Sequence, residues 1–281
     1  MKQNFILQTI NRKIVHDFVF TLERSIEYIK WLELDSEIEV IYSELYDIET
    51  HVKQLGEDVK KYIPVGTVEF VFTFIDKVFG EGKSNLIKPL NVPSELFKFA
   101  GRNIANVTLT DNRVEELKNE FNFLFQDTTK QGFIKSTENI KDKVNGFYKL
   151  DEVLNTKIIP NGNYQISSHC DIESEYRCFV YYDDLVGLQN YSGDFTVFPS
   201  FDFIKEIINA YPYDMGYGIG KKAWSFDIGV LDDNKTNILI ECHDYFSCGT
   251  YGFEDYGSHI KMICSAWRDI YKLINNNETK N

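Results

Sequence analysis

The stretch WSFDIGVLDDNKTNILIECHDYFSCGTYG, residues 224–252, decides the fold. It predicts two strands around the turn DDNK at 232–235, because these four residues strongly favour turns. Each strand is apolar except for an acid, Asp227 in the first and Glu241 in the second. A carboxylate within an apolar strand is costly to bury unless it is paired or binds a cation. The pair of acids therefore indicates a charged or metal-binding site.

The two acids can face each other, because the turn between them lies near 232–236. His243 is two residues beyond Glu241 and points to the same side of the strand. Neighbouring carboxylates repel each other, and Mg²⁺ removes this repulsion because it prefers hard oxygen ligands and binds one or two carboxylates together with phosphates. The alternative for Asp227 and Glu241 is a structural pair that is bonded to the backbone or to lysine.

Composition is typical of a globular protein with one large domain or two smaller ones, since 43% of the 281 residues are hydrophobic and 26% are charged. The net charge of -13 argues against a nucleic-acid partner, because that affinity comes mainly from clustered Lys and Arg. No apolar run approaches the roughly eighteen residues of a membrane span, and the first residues do not resemble a secretory signal. The expected location is the cytoplasm, without a membrane partner.

The five cysteines also favour the cytoplasm. Their number is odd and no CxxC occurs, so free thiols are expected rather than a disulfide framework. Cys242, His243 and Cys248 could contribute to a zinc site, but a fourth ligand is missing.

The first third of the chain predicts a mixed α/β region. Strands are expected at 4–9 and 37–44, with a helix at 14–34 between them. Residues 65–79 begin as a strand or turn and become a helix. Residues 106–120 form a polar region.

From residue 131 onwards the pattern predicts an α+β fold with a largely antiparallel sheet. The expected elements are a strand at 131–136, a loop or short helix at 137–148, two strand pieces around Pro160–Gly162, a hairpin at 174–194, a helix at 198–213, the hairpin quoted above, and a closing helix.

Several cationic residues lie on or beside these predicted elements. Lys135 lies on a strand in FIKS, Arg177 follows Glu175 at the start of the long hairpin, and Lys222 comes after the glycine-rich run GYGIG. Such cations could neutralise phosphates, although no loop of the form GxxxxGK[ST] is present. Each also has an ordinary interpretation: a surface lysine, a cross-strand charge pair, or a solvated loop.

In the order of these lysines, arginine and acids along the chain, the sequence resembles the ATP-grasp superfamily. Within that superfamily it resembles the R-two-K clade of small proteins common in phages and bacteria. The resemblance covers residues 106–272. It rests on FIKS with Lys135, on FDIGV and LIECH with Asp227, Glu241 and His243, on DYFSCGTYG, and on IPVGTVEFV at 63–71.

The resemblance implies an ATP-grasp fold, in which two α+β subdomains grip ATP, over residues 106–272. An N-terminal α/β domain at 1–105 would precede it and form one wall of the substrate cleft. Residues 273–281 would be a flexible tail.

The resemblance also implies roles for site residues. Lys135 would contact the ATP phosphates, and Arg177 or Lys222 would steady an acylphosphate. The hinge segment would bind the cofactor through Ser168, His169, Asp171 and Glu175, and the Mg²⁺ ligands would be Asp227, Glu241 and His243.

His243 departs from the family pattern, which has Asn at this position. Imidazole is a poorer magnesium ligand than an amide oxygen. Either Asp227 and Glu241 hold Mg²⁺ alone, or Asp244 contributes, or one metal site is weakened.

The implied activity is that of an ATP- and Mg²⁺-dependent ligase. ATP would phosphorylate a carboxylate to an acylphosphate, which an amine or similar nucleophile of a small molecule or peptide then attacks. The alternative, favoured by His243, is an ATP-binding regulatory or interaction protein without catalysis. A third possibility is a structural interaction domain with its acids paired internally.

Overall fold

The computed structural model describes residues 4–32, 38–120, 130–140, 142–211, 222–232 and 236–276. The run GYGIG, residues 233–235 of the predicted turn and residues 277–281 lie outside these ranges. The described residues form helices and three sheets, which confirms the predicted α+β class.

The helices and strands follow one another along the chain with the bounds below. The strands are β1 (Asn4–Gln8), β2 (Val40–Ser43), β3 (Tyr62–Val65), β4 (Ile104–Leu109), β5 (Gln131–Ser136), β6 (Gly146–Lys149), β7 (Gly162–Ser168), β8 (Ile172–Tyr181), β9 (Asp184–Gly193), β10 (Ala223–Leu231) and β11 (Asn237–Asp244). The α-helices are α1 (Asp17–Trp31), α2 (Ile48–Leu55), α3 (Val68–Phe79), α4 (Arg113–Glu120), α5 (Leu150–Val153), α6 (Phe201–Ala210) and α7 (Tyr256–Asn276).

The first sheet is parallel and has the strand order β2-β1-β3. Its central strand is buried on both faces, and Phe5, Ile6 and Leu7 have no exposed surface. This continuous apolar burial is typical of a parallel strand that helices cover on both sides. The prediction of a mixed α/β N-terminal region is confirmed.

The second sheet is antiparallel, in the order β4-β7-β5-β6. Only its inner strands β5 and β7 were predicted. The edge strand β6 lies in the segment 137–148, where a loop or short helix was expected, and β4 begins before the polar region at 106–120. Residues Asn106–Leu109 of β4 do alternate between polar and apolar, but this short run was assigned to the polar region. Strand β6 has only four residues and lacks such alternation.

The prediction of a strand piece before Pro160 was wrong. These residues form turns, and Ile159 is buried beside α4. Its carbonyl oxygen accepts a hydrogen bond of 2.8 Å from Nη1 of Arg113, which satisfies this buried group without a neighbouring strand.

The third sheet, in the antiparallel order β11-β10-β8-β9, is covered on both faces. On one face, Ile204 and Ile207 of α6 pack against Trp224 and Phe226. Phe179 belongs to the opposite face and to the core shared by α7 and the first sheet. The polar residues of that second face therefore lie inside the protein.

The N-terminal and C-terminal parts of the chain share a core. Helix α7 packs on α1 and continues to Asn276, into the segment expected as a tail. The boundary expected after residue 105 falls within β4. Among the described helices, none combines the length and apolarity that a bilayer crossing requires.

A buried histidine lies where α7 meets α1. His259 has no exposed surface; its Nε2 lies 3.2 Å from the carbonyl oxygen of Phe18, and its Nδ1 lies 2.6 Å from the hydroxyl of Tyr245. Neutral imidazole satisfies both contacts with one donor and one acceptor. Burial lowers the pKa of His259 to about 4.

We predict that His259 makes the protein less stable in acid. The unfolded chain takes up this proton near pH 6.5, but the folded chain does so only near pH 4, so the free energy of unfolding falls by up to about 3 kcal/mol between these values. His259→Gln, which does not titrate, should lose less stability over this window. Urea denaturation across it measures the difference, with His51→Gln in α2 as a control that keeps the wild-type slope. Equal slopes in wild type and His259→Gln would contradict the prediction.

Candidate active site

The hairpin of β10 and β11 brings the two acids together as predicted. Asp227 pairs with Glu241, and Ser225 pairs with His243. The register shifts between Asp227 and Ile228, because Ile228 pairs with Leu239 and leaves Ile240 as the extra residue of a β-bulge.

The donor atoms of the three predicted metal ligands converge. Nε2 of His243 lies 2.9 Å from Oε1 of Glu241 and 3.3 Å from Oδ2 of Asp227. All three donor atoms lie within 4.8 Å of one another. Asp227 is buried, whereas about a quarter of the other two side chains is exposed.

Arg177 on β8 holds Asp227 in a bidentate ion pair. Its Nε and Nη2 donate to the two carboxylate oxygens, each at 2.7 Å. Nη1 donates to the carbonyl oxygen of Gly249 at 3.2 Å, and Nη2 lies 3.1 Å from Nε2 of His243. Since Arg177 is itself 5% exposed, both charges of the pair are neutralised inside the protein.

Two tyrosines cover this ion pair. The rings of Tyr191 and Tyr251 stack on each other, with centroids 5.0 Å apart, and lie 5.7 and 5.1 Å from the guanidinium carbon of Arg177. Tyr191 donates its hydroxyl hydrogen to Glu175 at 2.6 Å, and its oxygen lies 3.2 Å from Asp227. These contacts restrict how Arg177 and Asp227 can move.

Lys135 reaches the cluster from the other antiparallel sheet. It lies on β5, and its ammonium group donates to Oε2 of Glu241 on β11. The second and third sheets therefore meet at a lysine–carboxylate pair.

The charged groups of the cluster shift one another's pKa values. Burial alone would raise the pKa of both carboxyls, but Arg177 and His243 hold the pKa of Asp227 below its usual range, while His243 and Lys135 hold that of Glu241 well below it. Burial disfavours protonation of His243, but the two carboxylates outweigh this effect and raise its pKa to about 9. At neutral pH, two carboxylates thus face three cations.

Two cavities lie on either side of the cluster. The first, of about 290 Å³, is lined by residues including Arg102, Phe133, Phe147, Ser168, His169 and Glu175. The second, of about 340 Å³, is lined by residues including His16, Val68, Asn91, Arg177, His243 and Ser247. Lys135 and Glu241 line both, so their ion pair belongs to the wall between the two cavities.

Two predicted site residues lie elsewhere. The Asp171 side chain is 82% exposed and lies 3.9 Å from His169, outside the residues that line the first cavity. Lys222 stacks on the Tyr182 ring, 5.2 Å from its centroid. Since Lys222 precedes Asp227 by five residues of extended chain, about 16 Å, it does not contact the cluster.

Several residues of the site were missed. Arg102 donates to the carbonyl oxygens of Leu239 at 2.8 Å and Ile240 at 2.9 Å, beside Glu241, but it belongs to no recognisable motif. Tyr191 faces Arg177 from β9, where a register shift sets its position. Only Tyr251 had a signal in the sequence, because it lies in DYFSCGTYG.

Comparison with known proteins agrees with this architecture. A family model described as the ATP-grasp domain of R2K clade family 2 matches residues 99–257, more than half of the chain. No curated protein matches the sequence significantly.

Solved ATP-grasp structures resemble nearly the whole chain. N5-carboxyaminoimidazole synthetase from Staphylococcus aureus is 11% identical, with 94% of this chain and 78% of that chain covered and a TM-score of 0.54. Its complex with ADP is 10% identical, with the same coverage and TM-score. D-alanine–D-alanine ligase from Bacillus anthracis is 11% identical, with 97% and 99% covered and a TM-score of 0.53. At these identities the likeness is one of fold, and the predicted ATP-grasp fold is confirmed.

We predict that Arg177→Met strongly destabilises the protein. Removing one partner of a buried ion pair leaves the other charge unpaired, so the free energy of unfolding should fall by about 3–5 kcal/mol. Arg24→Met is the matched control, because the Arg24–Glu27 pair is exposed and should contribute less than about 1 kcal/mol. Urea denaturation at neutral pH compares the two variants. A similarly small loss in both would mean that Arg177 does not stabilise the buried Asp227.

Proposed function

Because the chain belongs to R2K clade family 2 of the ATP-grasp domains, we propose that it is an ATP- and divalent-cation-dependent ligase. It activates a carboxylate as an acylphosphate and joins it to an amine or a similar nucleophile. The observation that carries this proposal is the cluster of Lys135, Arg177, Asp227 and Glu241 beside two cavities.

The first cavity suits a nucleotide. Phe133 and Phe147 offer aromatic surface to a base, while Ser168, His169 and Glu175 offer polar groups. Lys135 adds an ammonium group beside Glu241, where it can bind the phosphates of the nucleotide.

The second cavity suits the acceptor acid and the amine. Residues of the N-terminal region, His16 and Val68, contribute to its lining together with Asn91 in the segment before β4. Its position supports the expectation that the N-terminal region forms one wall of the substrate cleft. Phosphoryl transfer would occur where Lys135 and Glu241 separate the two cavities.

The proposed reaction has two steps. A carboxylate oxygen of the acceptor attacks the γ-phosphorus of ATP, the bond to the β,γ-bridging oxygen breaks, and ADP leaves. The amine nitrogen then attacks the carbonyl carbon of the acylphosphate, phosphate leaves with the electrons of the C–O bond, and the nitrogen loses a proton to solvent. The protein contributes mainly orientation and charge neutralisation.

Asp227, Glu241 and His243 would hold the divalent cation, which when bound neutralises charge on the transferring phosphoryl group. Arg177 positions Asp227 through its two hydrogen bonds and also lines the second cavity. Lys222 takes no part in this proposal.

We predict that Mg-ATP stabilises the wild-type protein. At about a hundred times its dissociation constant, the ligand should add about 2.7 kcal/mol to the free energy of unfolding. The double variant Asp227→Asn/Glu241→Gln should lose this gain. Thermal denaturation with and without Mg-ATP measures the gain, and each variant is compared with its own unliganded state. Glu57→Gln/Asp58→Asn removes two exposed acids and should keep it. No gain in wild type at millimolar Mg-ATP would reject the nucleotide site.

We predict that Lys135→Met weakens nucleotide binding about 10- to 100-fold, because a hydrogen bond to a charged group contributes about 1.5–3 kcal/mol. Lys157→Met, at an exposed turn residue, should bind as the wild type does. Calorimetric titration with ADP gives both dissociation constants. Unchanged affinity in Lys135→Met would remove Lys135 from the phosphate site.

A nucleotide-binding protein without turnover is the second candidate. It is favoured by the imidazole of His243, which lies against both acids of the cluster where the family has an amide. Release of ADP in the presence of a panel of carboxylic acids and amines distinguishes the ligase from this alternative.

A further inference from the structure

The spacing of three donor atoms fits one metal ion. Metal–ligand distances of about 2.0–2.2 Å place neighbouring donors on a coordination sphere about 3 Å apart. Nε2 of His243 lies 2.9 Å from Oε1 of Glu241 and 3.3 Å from Oδ2 of Asp227. The three atoms can therefore occupy adjacent positions around a single cation, which would replace the proton that Nε2 of His243 shares with the two carboxylates.

The chemistry of the donors differs from what Mg²⁺ prefers. Mg²⁺ is bound mainly by oxygen, whereas imidazole nitrogen suits the first-row transition metals, and carboxylates also suit Mn²⁺. As a first-row transition-metal ion, Mn²⁺ accepts an imidazole nitrogen beside two carboxylates more readily than Mg²⁺ does. For Mg²⁺ the imidazole is the poor member of the set.

The surrounding contacts preserve this donor set. Lys135 takes Oε2 of Glu241, which leaves Oε1 directed at His243. Arg177 fixes both oxygens of Asp227. The bulge at Ile240 brings Glu241 opposite Asp227, and His243 follows on the same face. The imidazole is thus built into the cluster by the strand register.

We propose that Asp227, Glu241 and His243 form a metal site that selects Mn²⁺ over Mg²⁺. This cation would be the one that accompanies the nucleotide, so its role in catalysis rests on the proposed function. The donor set itself belongs to the chain and can be tested without nucleotide.

The test uses the full-length protein and Mn²⁺ alone. Titration followed by the electron paramagnetic resonance signal of free Mn²⁺ gives its dissociation constant, and competition gives that of Mg²⁺. We expect Mg²⁺ to bind at least tenfold more weakly than Mn²⁺. Pulsed measurements on bound Mn²⁺ should detect nitrogen coupling from a directly coordinated imidazole.

The matched variant is His243→Asn, which replaces the nitrogen donor with an amide oxygen. It should lose the nitrogen coupling and reduce the preference for Mn²⁺ at least fivefold. His51→Asn, in α2 and outside the cluster, should retain both. The coupling in the wild type does not depend on whether a variant folds.

Absence of Mn²⁺ binding, equal affinities for the two ions, or no nitrogen coupling in wild type would each overturn the proposal. Any of these results combined with stabilisation by Mg-ATP would leave the proposed ligase intact. If bound Mn²⁺ shows nitrogen coupling but Mg-ATP does not stabilise the protein, the metal site is retained and the proposed function is rejected.

Discussion

The structure of the site depends on neutralising two carboxylates within the fold. Asp227 is bound by Arg177 of the neighbouring strand, and Glu241 is bound by Lys135 of another sheet. An unpaired buried carboxylate is too costly to retain, so Asp227 requires Arg177, while Lys135 stabilises the partly buried Glu241. The first pair connects strands within the third sheet, whereas the second connects two sheets. Neutralising the two carboxylates therefore stabilises the contact between β8 and β10 within the third sheet and the contact between the second and third sheets.

The N-terminal region supports the same cluster from a distance. Asp17, at the start of α1, accepts hydrogen bonds from the backbone nitrogens of Thr250 at 2.7 Å and Tyr251 at 3.1 Å. Burial opposes ionisation of Asp17, but these hydrogen bonds keep its pKa below the usual value. The loop they hold carries Tyr251, which covers Arg177. The N-terminal region and the charged cluster are thus parts of one packed unit.

Register shifts explain which parts of the site could be predicted. Asp227, Glu241 and His243 were predictable because they share one hairpin, where alternation and a turn place them within a residue of their final positions. In the hairpin of β8 and β9 the register shifts twice, and the shift beside Glu175 leaves Tyr191 as an extra residue. A bulge changes the direction of a side chain, but no clear sequence pattern predicts where it occurs. For that reason Tyr191 was missed, although the hairpin itself was predicted.

The sequence by itself determined the α+β class, the mixed α/β N-terminal region, the hairpin at 174–194 and the hairpin that carries both acids, because these depend on local periodicity and turn-forming residues. The tertiary structure decided which cations meet those acids. Lys135 and Glu241 are separated by 106 positions in the chain, and Lys222, much nearer to Asp227 in sequence, lies away from the cluster. Pairing across sheets is set by packing and by the electrostatic requirement of buried charge, and neither is written in any local pattern of residues.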